Sequence, residues 1–154
     1  MESPLTAADI VLRLAAAAVA GSALGLNRDL HGKAAGIRTL SIVSLGAAGI
    51  TLVAPLVAPA NADALTRVIQ GLVTAIGFLG AGVILHDDSR KKVHGLTTAV
   101  CCWFAVAVGI MCGIGLWTEL VTAFVICILV LTVGGWVEKR LHQLLHVNLP
   151  DDET

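Results

Sequence analysis

Apolar residues run along most of this chain in blocks of roughly twenty, with polar residues gathered into the short gaps between them. Within a block the apolar positions cover the whole circumference of a helix rather than one stripe, which is the pattern that lipid contact requires. Five helices follow, over residues 8–26, 37–60, 68–85, 96–115 and 117–137. Each is long enough for a hydrocarbon core of about 30 Å at about 1.5 Å per residue. The connection between the last two is so short that they must form an antiparallel hairpin. Pro55 and Pro59, followed by Asn61 and Asp63, interrupt the pattern and make the end of the second span its least sharp boundary. Beyond Glu138 the chain turns polar, so residues 1–137 read as a membrane domain and 138–154 as a short tail. Within that tail, Leu and His alternate over 141–149 at the spacing of a short helix on the membrane surface, and 150–154 read as disordered.

Composition agrees with this pattern: of 154 residues, 56% are hydrophobic and only 14% charged, too apolar for a soluble fold of this length. Sixteen glycines point to helices that associate by close van der Waals approach, the mode available in lipid. A net charge of -1 supports neither nucleic-acid binding nor an acidic substrate. The charge signal that matters is sidedness. Eight of the ten basic residues fall at one face: Arg28, Lys33 and Arg38 around the first gap, Arg90, Lys91 and Lys92 in the third, and Lys139 with Arg140 in the tail. Five spans then place the N-terminus outside and the C-terminus in the cytoplasm. Glu2 and Asp9 precede the first apolar run, which therefore reads as a retained helix and not a signal peptide. The fold class expected is an all-α integral membrane protein, a compact bundle of about five transmembrane helices.

An ionisable residue inside a span is costly enough to be a functional candidate. Asp9 and Arg13 stand one turn apart on the first helix, as an ion pair would. Arg67 and Gln70 open the third span and Glu119 the fifth, so all five belong to the external face and form a candidate polar cluster; snorkelling to the interface is the alternative for Arg67 and Glu119. At the opposite face the segment from Gly25 to Gly49 reads GLNRDLHGKAAGIRTLSIVSLGAAG. Gly32 and Gly36 permit a tight reversal that brings Arg28 and Arg38 to one surface at headgroup level, an arrangement suited to an anion or a lipid phosphate, or to a simple positive-inside anchor. Thr97 and Thr98 begin the fourth span, where their hydroxyls either face that region or bond back to their own helix.

Three glycine faces are laid out for helix packing: Gly21 with Gly25, Gly77 with Gly80 and Gly82, and Gly109 with Gly113. The four cysteines lie in apolar segments without CxxC spacing and read as small apolar residues. Glu138, His142 and His146 share a helical face, yet a wetted surface helix accounts for that spacing, and no metal site or cofactor is expected. There is no HExxH and no evident nucleophile paired with a base, so the chain is not expected to be an enzyme.

Three ordered runs, AGIRTLSIVSLGAA at 35–48, IGFLGAGVIL at 76–85 and HGLTTAVCCWFAVAVGIMCGIG at 94–115, closely resemble the MgtC/SapB family of bacterial inner-membrane proteins. The resemblance spans nearly all of the membrane region. It implies a multi-pass inner-membrane protein, with some members linked to growth in low magnesium, survival in macrophages and restraint of the rotary ATP synthase. It carries over Arg28, Gly36, Arg38 and Thr39 from the first motif, Gly77, Gly80 and Gly82 from the second, and Gly95, Thr97 and Thr98 from the third; Asp9 is similar to the family's acidic residue early in helix one. Asn27 stands where the family usually has Glu, and Thr154 comes too early for the soluble domain of longer members. The function expected is a regulatory or binding factor in magnesium limitation, membrane energetics or stress and virulence adaptation. Its partners would be the lipid bilayer, a larger membrane complex such as the ATP synthase, and a second copy of itself. The alternative is a transporter or channel subunit for Mg²⁺ or another small ion.

Overall fold

The computed structural model describes residues 5–58, 63–87 and 92–145. Five helices follow one another: α1 (Ala7–Leu30), α2 (Ile37–Val57), α3 (Asp63–Val83), α4 (Leu96–Ile114) and α5 (Trp117–Leu145). All five are long and apolar enough to cross a membrane. Between α3 and α4 the chain pairs two short antiparallel strands, β1 (Leu85–Asp87) and β2 (Lys92–His94), with Leu85 opposite His94. No sequence pattern announced this hairpin.

The helices start and stop for local reasons. Thr6 caps α1 in a reciprocal box with Asp9, whose Oδ2 takes the Thr6 N–H at 3.0 Å and the Thr6 hydroxyl at 2.6 Å. The second helix ends at Val57, a little short of the expected residue 60, and it tolerates Pro55 because a missing donor within the last turn removes only one bond. The fifth membrane span ends at Val137 as expected, but its helix runs on to Leu145, since nothing in the run from Val137 to Leu145 breaks it. The separate surface helix expected at 141–149 is instead its last turns as far as Leu145; residues 146–154 lie outside the described residues.

Burial identifies the centre. The fourth helix encloses ten residues, among them Thr98, Cys101, Cys102, Ala105, Val108 and Cys112, whereas α3 encloses Ile76 and Gly80 alone. Helices α1, α2 and α4 form a tight trio, with α3 laid on α4 and α5 chiefly on α4 as well. Glycine makes the trio possible. A Cβ at Gly21 would lie 2.5 Å from Leu40 O and 2.9 Å from Ser44 Cβ, and one at Gly113 2.7 Å from Ala48 O. At Gly109 the same addition would strike the Ser44 carbonyl. Thus α2 is clasped between two GxxxG faces, one from α1 and one from α4.

The glycines of α3 behave differently from their expected role. Among the described residues Gly80 meets only the Ala99 methyl, at 3.6 Å, and Gly77 and Gly82 have nothing within 4 Å. Gly77 and Gly82 face outward because the buried side of α3 is set by Ile76 and Gly80, four residues apart, which leaves Gly77, one residue past Ile76, and Gly82, two past Gly80, turned away from it.

Several hydroxyls inside the spans bond to their own helices, as a medium without water favours: Ser22 to Ala18 O at 2.7 Å, Thr51 to Ala47 O at 2.7 Å and Thr74 to Gln70 O at 2.8 Å. Ser22 and Ser41 also meet across the α1–α2 contact at 2.7 Å.

Candidate functional site

The last turn of α1 and the first turns of α2 and α4 converge at one end of the bundle. Arg28 projects from α1 into that junction and is only 5% exposed. Its Nη2 donates to the hydroxyl of Thr98, and among the described residues its Nε has no hydrogen-bond partner. Thr98 is itself buried, with Cys101 and Cys102 one turn further along the same face of α4.

Local sequence builds the junction. The turn after α1 passes through Gly32 and Ala35, both at positive φ, and reaches Gly36, the N-cap of α2. Asp29 folds over that start and accepts from Ile37 N–H at 3.0 Å, so its carboxylate satisfies an otherwise open donor and faces the positive end of the helix. A side chain at Gly36 would fall on this carboxylate. The hairpin then delivers Gly95 in the left-handed region, φ 88°, as the N-cap of α4, where a Cβ would overlap the carbonyl of Val83. Gly25 completes the joint, because a Cβ there would lie 2.5 Å from Ile37 Cα.

Of the residues singled out in the sequence, Arg28, Gly36, Gly95 and Thr98 therefore meet at this end. Thr97 is half-buried beside them, and Arg38 and Thr39 are exposed on the first turn of α2. The two arginines expected on one surface have separated into a buried one and an exposed one. Asp29 was missed, since its effect depends on the loop folding back across eight positions. Ser44 was also missed: it is wholly buried at the α1–α2–α4 crossing, and its hydroxyl oxygen lacks a partner among the described residues.

The opposite end holds a second polar feature. Arg13 Nη1 donates to the carbonyls of Gly113 and Ile114, both at 2.7 Å, and so caps the C-terminus of α4 with a positive charge. Gly115, at φ 91°, lies against the same guanidinium. A cavity of about 520 Å³ opens there, lined by Asp9, Arg13, Thr51, Pro55, Leu65 and neighbouring residues. The expected five-residue cluster is not assembled around it. Asp9 and Arg13 line the cavity, each bonded elsewhere, to Thr6 and to α4 respectively; Arg67, Gln70 and Glu119 are exposed and outside the lining. For Arg67 and Gln70 the reason is helical phase, because Asp63, Arg67, Gln70 and Thr74 share one outward face of α3.

Arg67, Gln70, Gly71, Thr74, Gly77 and Ala81 recur at helical spacing on that outward face and all are exposed, a run of polar and small residues along a membrane-length helix that also carries Phe78, 88% exposed. The exposed face of α5, by contrast, carries Val121, Val125, Leu129 and Val133, the composition that lipid favours. Among the described residues no group of three His, Cys, Asp or Glu is disposed to hold a metal, and the side chains of Glu138, His142 and His146 lie outside the described set.

Comparison with known proteins bears on the whole chain. The model of the MgtC family matches residues 14–140. Protein SrpB of Synechococcus elongatus is 38% identical over 144 residues, 86% of this chain and 76% of that protein. Protein MgtC of Salmonella typhimurium is 32% identical over 144 residues, 94% of this chain and 60% of its own length. Protein MgtC of Brucella abortus is 38% identical over 117 residues, covering 76% of this chain and 48% of that protein. No solved structure matches.

Proposed function

We propose that this chain, which belongs to the MgtC family, is a non-enzymatic regulatory or binding factor that works by helix contacts with a larger membrane complex. The observation that carries the reading is the outward stripe of α3. Small and polar side chains on a spanning helix are characteristic of helix–helix interfaces, because they allow close approach and exchange hydrogen bonds that lipid does not offer. Gln70 presents an amide and Gly71 and Gly77 a smooth backbone, with nothing from the described residues within 4 Å of either glycine position. In this reading the chain sits in the bacterial inner membrane with its N-terminus outside and the Arg28 end toward the cytoplasm, as the sorting of basic residues favours. By family resemblance, the setting is magnesium limitation, membrane energetics or stress and virulence adaptation, and the rotary ATP synthase is the complex to test first.

The test places bulk on the stripe. Gln70→Leu and Gly77→Leu leave the isolated chain folded, since both positions are exposed, and abolish both its co-purification with the ATP synthase and its effect on ATP-driven proton pumping in inverted vesicles. Retention of both by the folded variants overturns the reading. A second reading, a transporter or channel subunit for Mg²⁺ or another small ion, is favoured by the polar cavity at Asp9 and Arg13. Flux of Mg²⁺ or protons into proteoliposomes that disappears in Asp9→Asn would put it first.

A further inference from the structure

Two opposite charges stand one turn apart at the start of α1, and each is held by a partner other than its neighbour. Asp9 turns Oδ2 to the N–H and hydroxyl of Thr6, and its Oδ1 takes no hydrogen bond among the described residues. Arg13 directs both N–H groups of Nη1 to the carbonyls of Gly113 and Ile114, and its Nε and Nη2 make no hydrogen bond among the same residues. Both side chains line the cavity of about 520 Å³. Positions four apart on a helix lie about 5–6 Å from one another at Cβ, so the cavity wall carries a negative acceptor and positive donors at close to that spacing.

The backbone adds a further acceptor. Proline has no N–H, so Pro55 leaves the carbonyl of Thr51, four residues back, without its helical donor. Thr51 and Pro55 both line the cavity, and the Thr51 hydroxyl has given its proton to Ala47 O at 2.7 Å, so both Thr51 oxygens are left as acceptors. Hydrocarbon offers such a carbonyl nothing, and an N–H group brought into the cavity answers it. Asp9 lies two residues past the start of α1 and Arg13 six, about 3 and 9 Å along the helix axis, so the cavity runs from headgroup level to the edge of the hydrocarbon.

We propose that this cavity binds a zwitterion made of a primary ammonium and an oxyanion, the chemistry of an ethanolamine phosphate, whether carried as a phospholipid headgroup or free in solution. The ammonium donates to Asp9 Oδ1 and the Thr51 oxygens, and the oxyanion accepts from Nε and Nη2 of Arg13, while Nη1 keeps its place on α4. A lone cation in this cavity meets the charge of Arg13, and a lone anion meets that of Asp9; a molecule carrying both signs answers both. A quaternary ammonium has no N–H and leaves the acceptors open. At about 30 Å³ per water the cavity has room for well over ten waters, and so for a group of this size. Neither the outward face of α3 nor the sidedness of the chain enters this assignment.

The test uses the full chain in maltoside detergent, titrated separately with phosphatidylethanolamine and with O-phosphoethanolamine, and followed by the ¹⁵Nε–¹H resonance of Arg13 and the thermal midpoint. At least one of the two is expected to move the resonance saturably, raise the midpoint and bind at least tenfold more tightly than its counterparts: phosphatidylglycerol and phosphatidylcholine for the lipid, glycerol phosphate and phosphocholine for the solute. The lipid alone identifies a headgroup site, and the solute acting equally well identifies a site for the free zwitterion. Asp9→Asn, whose amide keeps an oxygen for Thr6 and turns the open acceptor into a donor, weakens binding at least tenfold. Pro55→Ala, which returns an N–H to the Thr51 carbonyl, raises the midpoint of the unliganded chain yet weakens binding at least threefold, two opposite signs that a merely structural role does not produce. An Arg13 resonance unmoved by both titrants overturns the proposal, as does a primary amine bound no more tightly than its counterparts, or undiminished binding by either variant. Because the first two outcomes are read in the unmodified chain, the proposal stays falsifiable even if a variant does not fold.

Discussion

Gly21→Ala probes the α1–α2 contact with a single added carbon. The new Cβ would lie 2.5 Å from Leu40 O, 2.9 Å from Ser41 Cα and 2.9 Å from Ser44 Cβ. Two of these atoms are backbone, so no side-chain rotation relieves the overlap. Ordinary contact begins near 3.4 Å, and α2 must withdraw by about 0.9 Å to restore it. Overpacking of this kind costs about 1–3 kcal/mol. The withdrawal also stretches the neighbouring Ser22–Ser41 hydrogen bond, 2.7 Å long, which contributes about 1 kcal/mol. Alanine's better helix propensity returns about 0.5–1 kcal/mol, leaving a net loss of the order of 1–3 kcal/mol. Gly77→Ala is the matched control, because nothing among the described residues lies within 4 Å of that position and only the propensity gain of about 0.5–1 kcal/mol remains. Unfolding of the purified chain as the mole fraction of SDS rises in mixed micelles, followed by circular dichroism, measures both. Opposite signs are expected. If Gly21→Ala is as stable as the parent, or if both variants shift the same way, the clasp around α2 is wrong.

Three further outcomes follow from the same geometry and the same assay. Ser44→Ala should be neutral or stabilising by up to about 1 kcal/mol, because the hydroxyl it removes is buried without a partner, whereas Ser44→Val should lose about 1–3 kcal/mol to crowding. Arg13→Gln should lose about 2–3 kcal/mol with the two 2.7 Å bonds to the end of α4, and hydrogen exchange should rise in that helix's last turn before anywhere else in it. Asp29→Ala should cost about 1 kcal/mol and raise exchange at Ile37 N–H; Gly36→Ala, whose methyl would displace the same carboxylate, should reproduce it, and an unprotected Ile37 amide in the parent chain would refute the cap.

Spans were the most legible part of this sequence, since lipid imposes one solvent on the whole length of a helix and the apolar blocks record it directly. The Gly21/Gly25 and Gly109/Gly113 faces were legible too, as spacing alone sets which side of a helix is smooth. Spacing does not say whether a partner lies within the same chain, and so Gly77 and Gly82 matched the motif while facing outward. Arginines were harder. Arg28 and Arg38 are indistinguishable as basic residues near a turn, and only the tertiary joint at Gly25 and Gly36 buries one and exposes the other. Arg13 and Asp9, set one turn apart, invited pairing, but backbone ends nearby offered each a closer partner.

The continuous run of α5 has a mechanical consequence. Twenty-nine residues make a rod about 44 Å long, against a hydrocarbon slab of about 30 Å, so roughly a third of it stands clear of the slab. Near that projecting end Arg140 lies over the Trp136 ring at 5.4 Å, an amphipathic pair suited to the boundary between oil and water. The rod rests mainly on one neighbour, and of its described side chains Leu120 alone is fully buried. A stiff beam supported along one side rocks more easily than it bends. Whatever pushes on the protruding stub is therefore transmitted as tilt to the other side of the bilayer, making α5 the lever of the molecule and the α1–α2–α4 trio its fulcrum.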